Sequence, residues 1–207
     1  MRAPPKTRLY VTPEEAGTIR AAVIAADPSG LGGDCMEASE SDVQALTHLL
    51  ADPSLSNAIY DLPSPITLET VSAWIADARA KRQRGEALLT VRGAADGTIY
   101  SYSYFTVWPE LAAAEIAGGF RAEHQGAGLG KTGALRSFAW MFEALKVRLI
   151  CVTAALDNVR SARVIEAAGF LPMGERQSRR ADGSERRSRY WEMSIEQWRK
   201  LGLSTSG

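Results

Sequence analysis

The apolar pattern of this chain changes at Ala87 from a helical period of about 3.6 residues to a strand period of about 2, which limits the folds that it can adopt. Strands are predicted over Ala87–Arg92 and Thr98–Trp108, with a hairpin turn at Ala95-Asp96-Gly97 between them. A further strand is predicted over Ala113–Phe120. Because strands joined by a tight turn pair antiparallel, a mixed sheet is favoured over a doubly wound parallel one.

The segments around these strands alternate between helical and strand patterns. Helices are predicted over Pro13–Ala26, in a short segment with a cap at Ser41, after Pro65 as far as Gly85, around Leu135–Lys146, and over Asn158–Ala168. Further strands are predicted over Leu9–Val11, Val147–Thr153, and a C-terminal hairpin of Gly174–Arg179 and Ser188–Ile195 that turns at Ala181-Asp182-Gly183. The expected fold is α+β: a mixed, largely antiparallel central sheet of about seven strands with helices on both faces.

The composition excludes several classes of protein. Lys and Arg total 24 and Asp and Glu total 24, so there is no net charge to attract nucleic acid or an anionic membrane. The two cysteines, Cys35 and Cys151, cannot form a disulfide framework, which favours a reducing compartment and hence the cytoplasm. The two histidines, His48 and His124, are too few for a zinc site or a Ser-His-Asp triad, so no metal is expected.

The length of 207 residues predicts a single domain over residues 1–207, with flexible ends at 1–8 and 203–207. The N-terminus has no apolar stretch of signal-peptide length, and no apolar run is long enough to span a membrane. We expect the protein to act as a monomer or a homodimer.

The most informative segment is Gln125–Gly133, a glycine-rich stretch between a predicted strand and a predicted helix, whose free backbone N–H groups would bind a phosphate. Gly130-Lys131-Thr132 matches the end of the ATPase phosphate loop, although Gln125 stands where that loop needs its first glycine. The glycine spacing from Gly128 onwards matches a dinucleotide-binding fingerprint, although no strand leads directly into it. Neither match is complete.

A third interpretation takes Gln125-x-x-Gly128-x-Gly130 as one unit, and this unit resembles the signature of the GNAT acetyltransferases. Farther along, Asn158-Val-Arg-Ser161 followed by Gly169-Phe170 resembles the Asn-x-x-Ser…Gly-Phe segment of the same family, most closely its ribosomal-protein N-terminal (Rim-type) branch. The resemblance covers about Pro53–Trp198, the expected core of the domain. It implies the GNAT fold and acetyl-CoA as the co-substrate.

The resemblance also implies a coenzyme site. Its residues, those along the pantetheine arm first, then those around the pyrophosphate, then those of a helix start, are Gly118, Gly119, Phe120, Arg121, Gln125, Gly126, Ala127, Gly128, Leu129, Gly130, Lys131, Thr132, Asn158 and Ser161. A backbone N–H near Phe120 or Arg121 would polarise the acetyl carbonyl. Because asparagine and serine are favoured at helix starts for capping alone, that alternative stays open for Asn158 and Ser161.

Two side chains are candidates for proton transfer. Glu115 stands among alanines and Ile116, an apolar setting that would raise the pKa of its carboxyl toward that of a useful base; the alternative is an edge or cleft carboxylate paired with an arginine. Ser161, which by the resemblance lies near the coenzyme sulfur, is the candidate acid, with Tyr190 as a second. Where the Rim-type branch can carry a cysteine this chain has Ala154, so no thiol is expected to assist.

The expected acceptor is a primary amine, and the resemblance favours a protein N-terminal α-amino group. Such an amine has a pKa of about 7.7–8.0, so a weak base would suffice. A small-molecule amine, such as an antibiotic, amino acid or polyamine, is the alternative within this class; a non-catalytic acyl-CoA-binding module is the alternative outside it, and a nucleotide hydrolase, which would depend on Lys131, is the third.

Two further features bear on the acceptor. Tyr100, Tyr102, Tyr104 and Trp108 share one strand face, where they form either core or part of an acceptor pocket. The C-terminal hairpin carries arginines that are either a solvated surface or an attraction for an acidic acceptor. These arginines are Arg176, Arg179, Arg180, Arg186, Arg187 and Arg189, set against Glu175, Asp182 and Glu185.

Overall fold

A seven-stranded mixed sheet organises the structure. The computed structural model of the protein describes residues 4–57, 59, 61–121, 123, 129–179 and 183–202. The strands are Cys35–Glu37 (β1), Ala87–Gly93 (β2), Ile99–Trp108 (β3), Ala113–Phe120 (β4), Leu149–Ala155 (β5), Leu171–Arg179 (β6) and Glu185–Ser194 (β7). Their order is β1-β2-β3-β4-β5-β7-β6; β4 and β5 run parallel and the other neighbours antiparallel. The predicted α+β fold with a largely antiparallel sheet is confirmed.

Helices cover both faces of this sheet, as predicted. They are Pro13–Ala25 (α1), Val43–Leu50 (α2), Pro53–Ser56 (α3), Leu68–Gln83 (α4), Leu129–Ala144 (α5), Val159–Ala167 (α6) and Ile195–Lys200 (α7). Helices α1, α5, α6 and α7 share a core with Phe105 and Trp191 of the sheet, which defines the α5 face. Helices α2, α3 and α4 share a core with Leu89 and Tyr102, which defines the α4 face. Among the described residues, no helix combines the length and apolar content needed to cross a membrane.

Several local predictions are confirmed residue by residue. Strand β4 has the predicted bounds Ala113–Phe120. The glycines predicted to end two helices adopt the left-handed backbone that suits glycine, with φ of 70° at Gly85 after α4 and 86° at Gly169 after α6.

Three local predictions are wrong. Leu9–Val11 forms no strand, and the Tyr10 carbonyl instead accepts a hydrogen bond from the Arg148 side chain at 2.6 Å. Ser41 is not the cap of α2: it lies inside a 3-10 turn, Glu40–Asp42, which Ser39 caps and in which the Ser39 N–H donates to the Asp42 carboxylate at 2.7 Å, and Asp42 is the N-cap of α2. Strand β5 begins at Leu149 rather than Val147, because the chain turns at Lys146, which has a φ of 60°.

The segment before α1 is held to the sheet by Glu192 of β7. The Lys6 N–H donates to Glu192 Oε1 at 2.7 Å, and the Thr7 N–H donates to Oε1 and Oε2 at 3.3 and 3.2 Å. The Tyr190 hydroxyl donates to the same carboxylate. Lys6 and Thr7 are therefore anchored, although we expected residues 1–8 to be flexible; residues 1–3 and 203–207 lie outside the described residues.

The pKa of Glu192 reflects this anchoring. Burial alone would raise the pKa of the carboxyl, but the hydrogen bonds from Thr7, Tyr190 and the Lys6 amide together outweigh burial and hold the pKa below its ordinary value. Glu192 consequently stabilises the folded state in its charged form.

Replacing Glu192 by Gln is expected to lower the free energy of unfolding by about 1–3 kcal/mol at neutral pH, because the amide turns one acceptor oxygen into a donor facing other donors. Since the folded pKa is depressed, the carboxylate contribution is present above the unfolded pKa and is lost as the pH falls through the folded pKa. Urea unfolding across the acid range checks this: wild type should lose stability more steeply than Glu192→Gln, and parallel curves would contradict it.

Candidate active site

The sheet separates between its two central parallel strands. Strands β4 and β5 pair at three positions, of which the last joins Glu115 to Cys151. Beyond that pair, β4 stays hydrogen-bonded to β3 as far as Phe120, and β5 stays paired with β7 as far as Ala155. The two strands therefore diverge, and a gap opens in the middle of the sheet with exposed edges of backbone on both sides.

A cavity of about 790 Å³ occupies this gap. Its strand walls are residues 116–120 of β4 and 152–155 of β5. On the α5 face it is lined by Ser137 and Phe138 of α5 and by Asn158, Ser161 and Val164 around α6. On the α4 face it is lined by Leu55, Asn57, Ile59 and Asp61, together with Arg186 of β7. The cavity consequently reaches both faces of the sheet.

Two glycines of β4 allow close contacts between this strand and its neighbours beside the gap. A Cβ atom at Gly118 would lie 2.3 Å from the carbonyl oxygen of Tyr102 in β3. A Cβ atom at Gly119 would lie 3.1 Å from Leu55 Cγ and 3.5 Å from Ile59 Cδ1 on the α4 face. Any side chain at Gly118 would push β4 away from β3, so this position requires glycine.

The predicted pantetheine residues divide into two groups. Gly118, Gly119 and Phe120 all line the cavity. Arg121 is engaged in the sheet, since its N–H donates to the Tyr100 carbonyl at 2.8 Å and its Nε to the Ile99 carbonyl at 3.0 Å. Because amides alternate in direction along an antiparallel strand, the Phe120 N–H faces away from β3, toward the gap. Phe120 is thus the better placed of the two candidate donors to an acetyl carbonyl.

The predicted pyrophosphate segment meets the start of α5. Gln125, Gly126, Ala127 and Gly128 lie outside the described residues. Leu129, Gly130 and Lys131 form the first turn of α5, which begins inside the segment that we predicted as a loop, and Thr132 is exposed. Gly133 and Ala134 of the next turn line the cavity. The N-terminus of a 16-residue helix, with its unpaired amides and positive dipole end, therefore lies beside the cavity.

Asn158 and Ser161 both cap a helix and line the cavity. Asn158 Oδ1 accepts the Ser161 N–H at 3.0 Å, so Asn158 is the N-cap of α6. Both side chains also belong to the cavity wall. The two alternatives for these residues are therefore compatible, because the cap uses the amide of Ser161 and leaves its hydroxyl for other contacts.

Glu115 is buried at the point where β4 and β5 part. Its side chain is 3% exposed, and Thr153 Oγ1 of β5 donates to Glu115 Oε1 at 3.1 Å. Glu115 does not itself line the cavity, whereas Thr153 and the neighbouring Ile116 do. The position is in a central strand rather than at an edge, and Thr153 links the carboxylate to the cavity. Nothing in the sequence pattern marks Thr153 as a functional residue.

Tyr190, the second candidate acid, is unsuitable for that role. Its side chain is 1% exposed, it is absent from the cavity wall, and its hydroxyl donates to Glu192. Burial, followed by the nearby Cys151, raises its pKa above the ordinary tyrosine value, so it holds its proton firmly. Cys151 is equally inert, because burial raises the pKa of its thiol to about 12. Ala154, where the Rim-type branch can carry a cysteine, lies in the cavity wall.

The aromatic stripe is mainly core. Trp74 of α4 packs on Tyr102 and Tyr104, with ring centroids 5.7 and 5.6 Å apart. Tyr102 also lines the cavity, and the Tyr100 hydroxyl donates to Asp34. The predicted core role is thus confirmed for Tyr104, and Tyr102 contributes to both core and cavity.

The arginines of the C-terminal hairpin have different surroundings. Arg187 forms an ion pair with Glu175, and Arg176 stacks over the Tyr190 ring at 3.8 Å from its centroid. Arg186 lines the cavity. Arg180 and Asp182 of the hairpin lie outside the described residues, as does His124 before the glycine-rich segment. The sequence alone could not distinguish Arg186 from the other arginines of the hairpin.

Comparison with known proteins agrees with this geometry. The acetyltransferase (GNAT) domain model matches residues 36–171, more than half of the chain. No curated protein matches this chain. Among solved structures, ribosomal-protein-S5-alanine acetyltransferase from Vibrio fischeri is 18% identical with a TM-score of 0.66, and the alignment covers 79% of this chain and 93% of that one.

Two other solved structures are similar to the same extent. RimL, a ribosomal L7/L12 alpha-N-protein acetyltransferase solved with coenzyme A, is 20% identical with a TM-score of 0.67, over 79% of this chain and 94% of that one. The microcin C7 self-immunity acetyltransferase MccE, solved with acetyl-CoA and AMP, is 15% identical with a TM-score of 0.67, over 83% of this chain and 99% of that one. At these identities the likenesses show a shared fold.

The family match spans the features that form the cavity: the diverging strands β4 and β5, the start of α5 and the capped start of α6. The ATPase and dinucleotide interpretations of the glycine-rich segment require a parallel sheet around their loop, whereas here a single parallel pair divides an antiparallel sheet. Residues, fold and family match therefore agree that this chain belongs to the GNAT acetyltransferases, enzymes that take the acetyl group from acetyl-CoA.

Proposed function

We propose that this protein transfers an acetyl group from acetyl-CoA to the α-amino group of a protein N-terminus. The observation that carries the proposal is the cavity between β4 and β5, which is open to both faces of the sheet. Two substrates can thus enter from opposite faces and meet inside the gap. Such an arrangement lowers the barrier by holding the reacting groups together.

The residues on the α5 face fit the coenzyme. The N-terminus of α5 supplies amides and a positive dipole end for a pyrophosphate. The Gly118 and Gly119 backbone leaves room in the gap for a narrow chain such as pantetheine, and Asn158 lies on the opposite wall. Gln125–Thr132, with Asn158 and Ser161, would hold the coenzyme, and the bound thioester supplies an activated carbonyl carbon.

Three groups of this chain then stabilise the reacting carbonyl and transfer protons. The Phe120 amide donates to the acetyl carbonyl oxygen as the amine nitrogen bonds to the carbonyl carbon. Glu115 accepts the proton that the amine loses, directly or through a water held by Thr153. Ser161 gives its hydroxyl proton to the sulfur as the carbon–sulfur bond breaks, and solvent restores it. An α-amine with a pKa of about 7.7–8.0 suits this weak base better than a lysine at about 10.4.

A small-molecule amine is the second candidate acceptor. The alignment with MccE, whose name describes self-immunity to microcin C7, covers 83% of this chain with a TM-score of 0.67, as high as that of RimL.

We propose a location in the cytoplasm on different grounds. Cys35 and Cys151 are both buried free thiols, as expected of a protein in a reducing compartment.

The proposed function is tested by incubating the protein with acetyl-CoA and peptides that carry either a free or a blocked N-terminus, each with an internal lysine. Thiol release with acetylation of the free N-terminus alone, located by mass spectrometry, is the expected result. Acetylation of lysine, or of amino-sugar antibiotics and polyamines but of neither peptide, would overturn the N-terminal assignment. Tight binding of acetyl-CoA with no thiol release to any amine would indicate a binding module.

Replacing Ser161 by Ala is expected to lower kcat about 100-fold while leaving the KM for acetyl-CoA within about twofold. The variant keeps the α6 cap, because the cap uses the Ser161 amide and not its hydroxyl. Steady-state kinetics check this, and a thermal transition near that of wild type would show that folding is unaffected. An unchanged kcat would remove Ser161 from the proton-transfer role.

A further inference from the structure

Two buried carboxylates lie in one row across the central strands of the sheet. Glu115 of β4 and Glu192 of β7 are both register partners of Cys151 of β5. The residues that flank these three in sequence pack in or against the core of the α5 face, so strand alternation places Glu115, Cys151 and Glu192 together on the α4 face. Because neighbouring strands are about 4.8 Å apart, the Cα atoms of the two glutamates are separated by about 10 Å.

Hydrogen bonds direct both carboxylates toward one pair of facing residues, Thr153 of β5 and Tyr190 of β7. The Thr153 hydroxyl donates to Glu115 Oε1 at 3.1 Å, and the Tyr190 hydroxyl donates to Glu192 Oε1. Both carboxylates also act on the Cys151 thiol that lies between them: burial raises the pKa of the thiol to about 12, and the two negative charges contribute to the rise. The two carboxylates are thus near enough to influence the same group.

Glu192 is held in its charged form. The amides of Lys6 and Thr7 and the Tyr190 hydroxyl all donate to its carboxylate. Burial would raise the pKa of this carboxyl, but these hydrogen bonds outweigh burial and hold the pKa below its ordinary value. Glu192 therefore stays negative over the pH range in which a base of ordinary or raised pKa loses its proton.

The other groups on this face are neutral or include both signs of charge. Cys151 and Tyr190 keep their protons near pH 7, because burial raises the pKa of the thiol and of the phenol. The charged groups besides Glu192 are two cations over the Tyr190 ring and two cavity-wall residues of opposite charge: Lys6, Arg176, Asp61 and Arg186. Glu192 is the anion that shares a row with Glu115.

We propose that Glu192 acts on acetyl transfer through Glu115: its fixed negative charge makes Glu115 bind a proton more strongly, and so sets the lowest pH at which Glu115 can serve as the base. The inference rests on the proposed function, in which Glu115 is that base. Because it acts through another residue, Glu192 is a positioning residue. At about 10 Å and an effective dielectric constant of about 20, the interaction of two such charges corresponds to about one pH unit.

The kinetic test compares Glu192→Gln with wild type at saturating acetyl-CoA and N-terminal peptide. The acid limb of the pH profile of kcat should move about one pH unit lower without disappearing, and the weaker base should lower the plateau about threefold. Well below the limb the variant should therefore be about threefold faster than wild type, a gain that damage to the fold does not produce. Added salt should leave the shift in place, because both carboxylates are buried.

Tyr190→Phe is the matched control. It removes one donor to the same carboxylate but leaves the charge of Glu192 in place, so the acid limb should stay at its wild-type position. Glu192→Ala, which leaves room for water where the carboxylate was, is a second neutral variant and should give the same shift as Glu192→Gln.

Carbon-13 NMR of the glutamate carboxyl groups measures the interaction without turnover. The Glu115 resonance, identified by its loss in Glu115→Gln, should titrate about one pH unit lower in Glu192→Gln than in wild type. An equal midpoint in the two proteins would overturn the inference, as would an unmoved acid limb in both neutral variants when Glu115→Gln abolishes that limb. Failure of the proposed function is a different outcome, in which no amine is acetylated or Glu115→Gln keeps the wild-type kcat; the NMR titration then still decides whether Glu192 acts on Glu115.

Discussion

Glu115→Gln is expected to lower kcat by about 100-fold to 1,000-fold while leaving the affinity for acetyl-CoA unchanged, because the variant removes the proton acceptor and little else. Glutamine has nearly the same shape, and its carbonyl oxygen can still accept the hydrogen bond from Thr153 Oγ1, now 3.1 Å from Glu115 Oε1. Glu115 is not among the residues that line the cavity, so the variant should preserve the contacts with the coenzyme. Rapid-quench measurement of acetyl transfer to an N-terminal peptide, with calorimetric titration of acetyl-CoA, provides both numbers.

The pH dependence separates a base from a structural carboxylate. If Glu115 accepts the proton, the acid limb of the pH profile of kcat should disappear in Glu115→Gln. Part of the rate should return at high pH, where more of the acceptor amine is already neutral. Glu192→Gln is the matched control, since Glu192 is a second carboxylate on the same face, also 3% exposed, but hydrogen-bonded to Lys6 and Thr7. It should lower stability without removing the acid limb. A Glu115→Gln enzyme with wild-type kcat would assign proton transfer to solvent.

Local patterns predicted the elements that form the site, because each of those elements has its own hydrophobic period. Strand β4 is bounded by Pro109 and the glycine-rich segment, and the structure reproduces its predicted ends. The start of α6 is marked by Asn158, four residues before Ala162, the first buried position of the helix. Such features depend on neighbours in sequence, so a single sequence suffices to find them.

Contacts between distant parts of the chain could not be predicted in this way. Thr153 and Glu115 are 38 residues apart, and nothing in either strand indicates that they meet. Tyr190 is a candidate acid in the sequence because the pattern does not show that its hydroxyl donates to Glu192. The same carboxylate accepts the Lys6 amide, which is 186 residues from Glu192 in the chain. The cavity wall likewise brings Leu55 and Ile59 together with Arg186 of the C-terminal hairpin. The family resemblance implied that Gly118, Gly119 and Phe120 lie along the coenzyme, and the structure showed the gap between β4 and β5 and the residues that surround it.

Gly118→Ala is expected to disrupt the gap itself. The added Cβ atom would lie 2.3 Å from the Tyr102 carbonyl oxygen and 3.1 Å from Ser103 Cα, both backbone atoms of a central strand that cannot move independently. Strand β4 must therefore shift toward β5, which narrows the cavity where the pantetheine arm would lie. We expect a loss of about 1–3 kcal/mol in the free energy of unfolding and a weakening of acetyl-CoA binding by about tenfold or more.

Gly93→Ala is the matched control for this variant, because Gly93 is also a strand glycine but a Cβ atom there would meet the Thr98 carbonyl oxygen at an ordinary 3.7 Å. Calorimetric titration of wild type and both variants with acetyl-CoA, and with ATP–Mg and NAD as parallel ligands, measures the effect. Wild type and Gly93→Ala should bind acetyl-CoA with similar affinity, and neither should bind ATP–Mg or NAD. If Gly118→Ala is destabilised but binds acetyl-CoA as tightly as wild type, the coenzyme does not pass between β4 and β5. The gap would then hold the acceptor alone, and the opposite-face entry of two substrates would have to be abandoned.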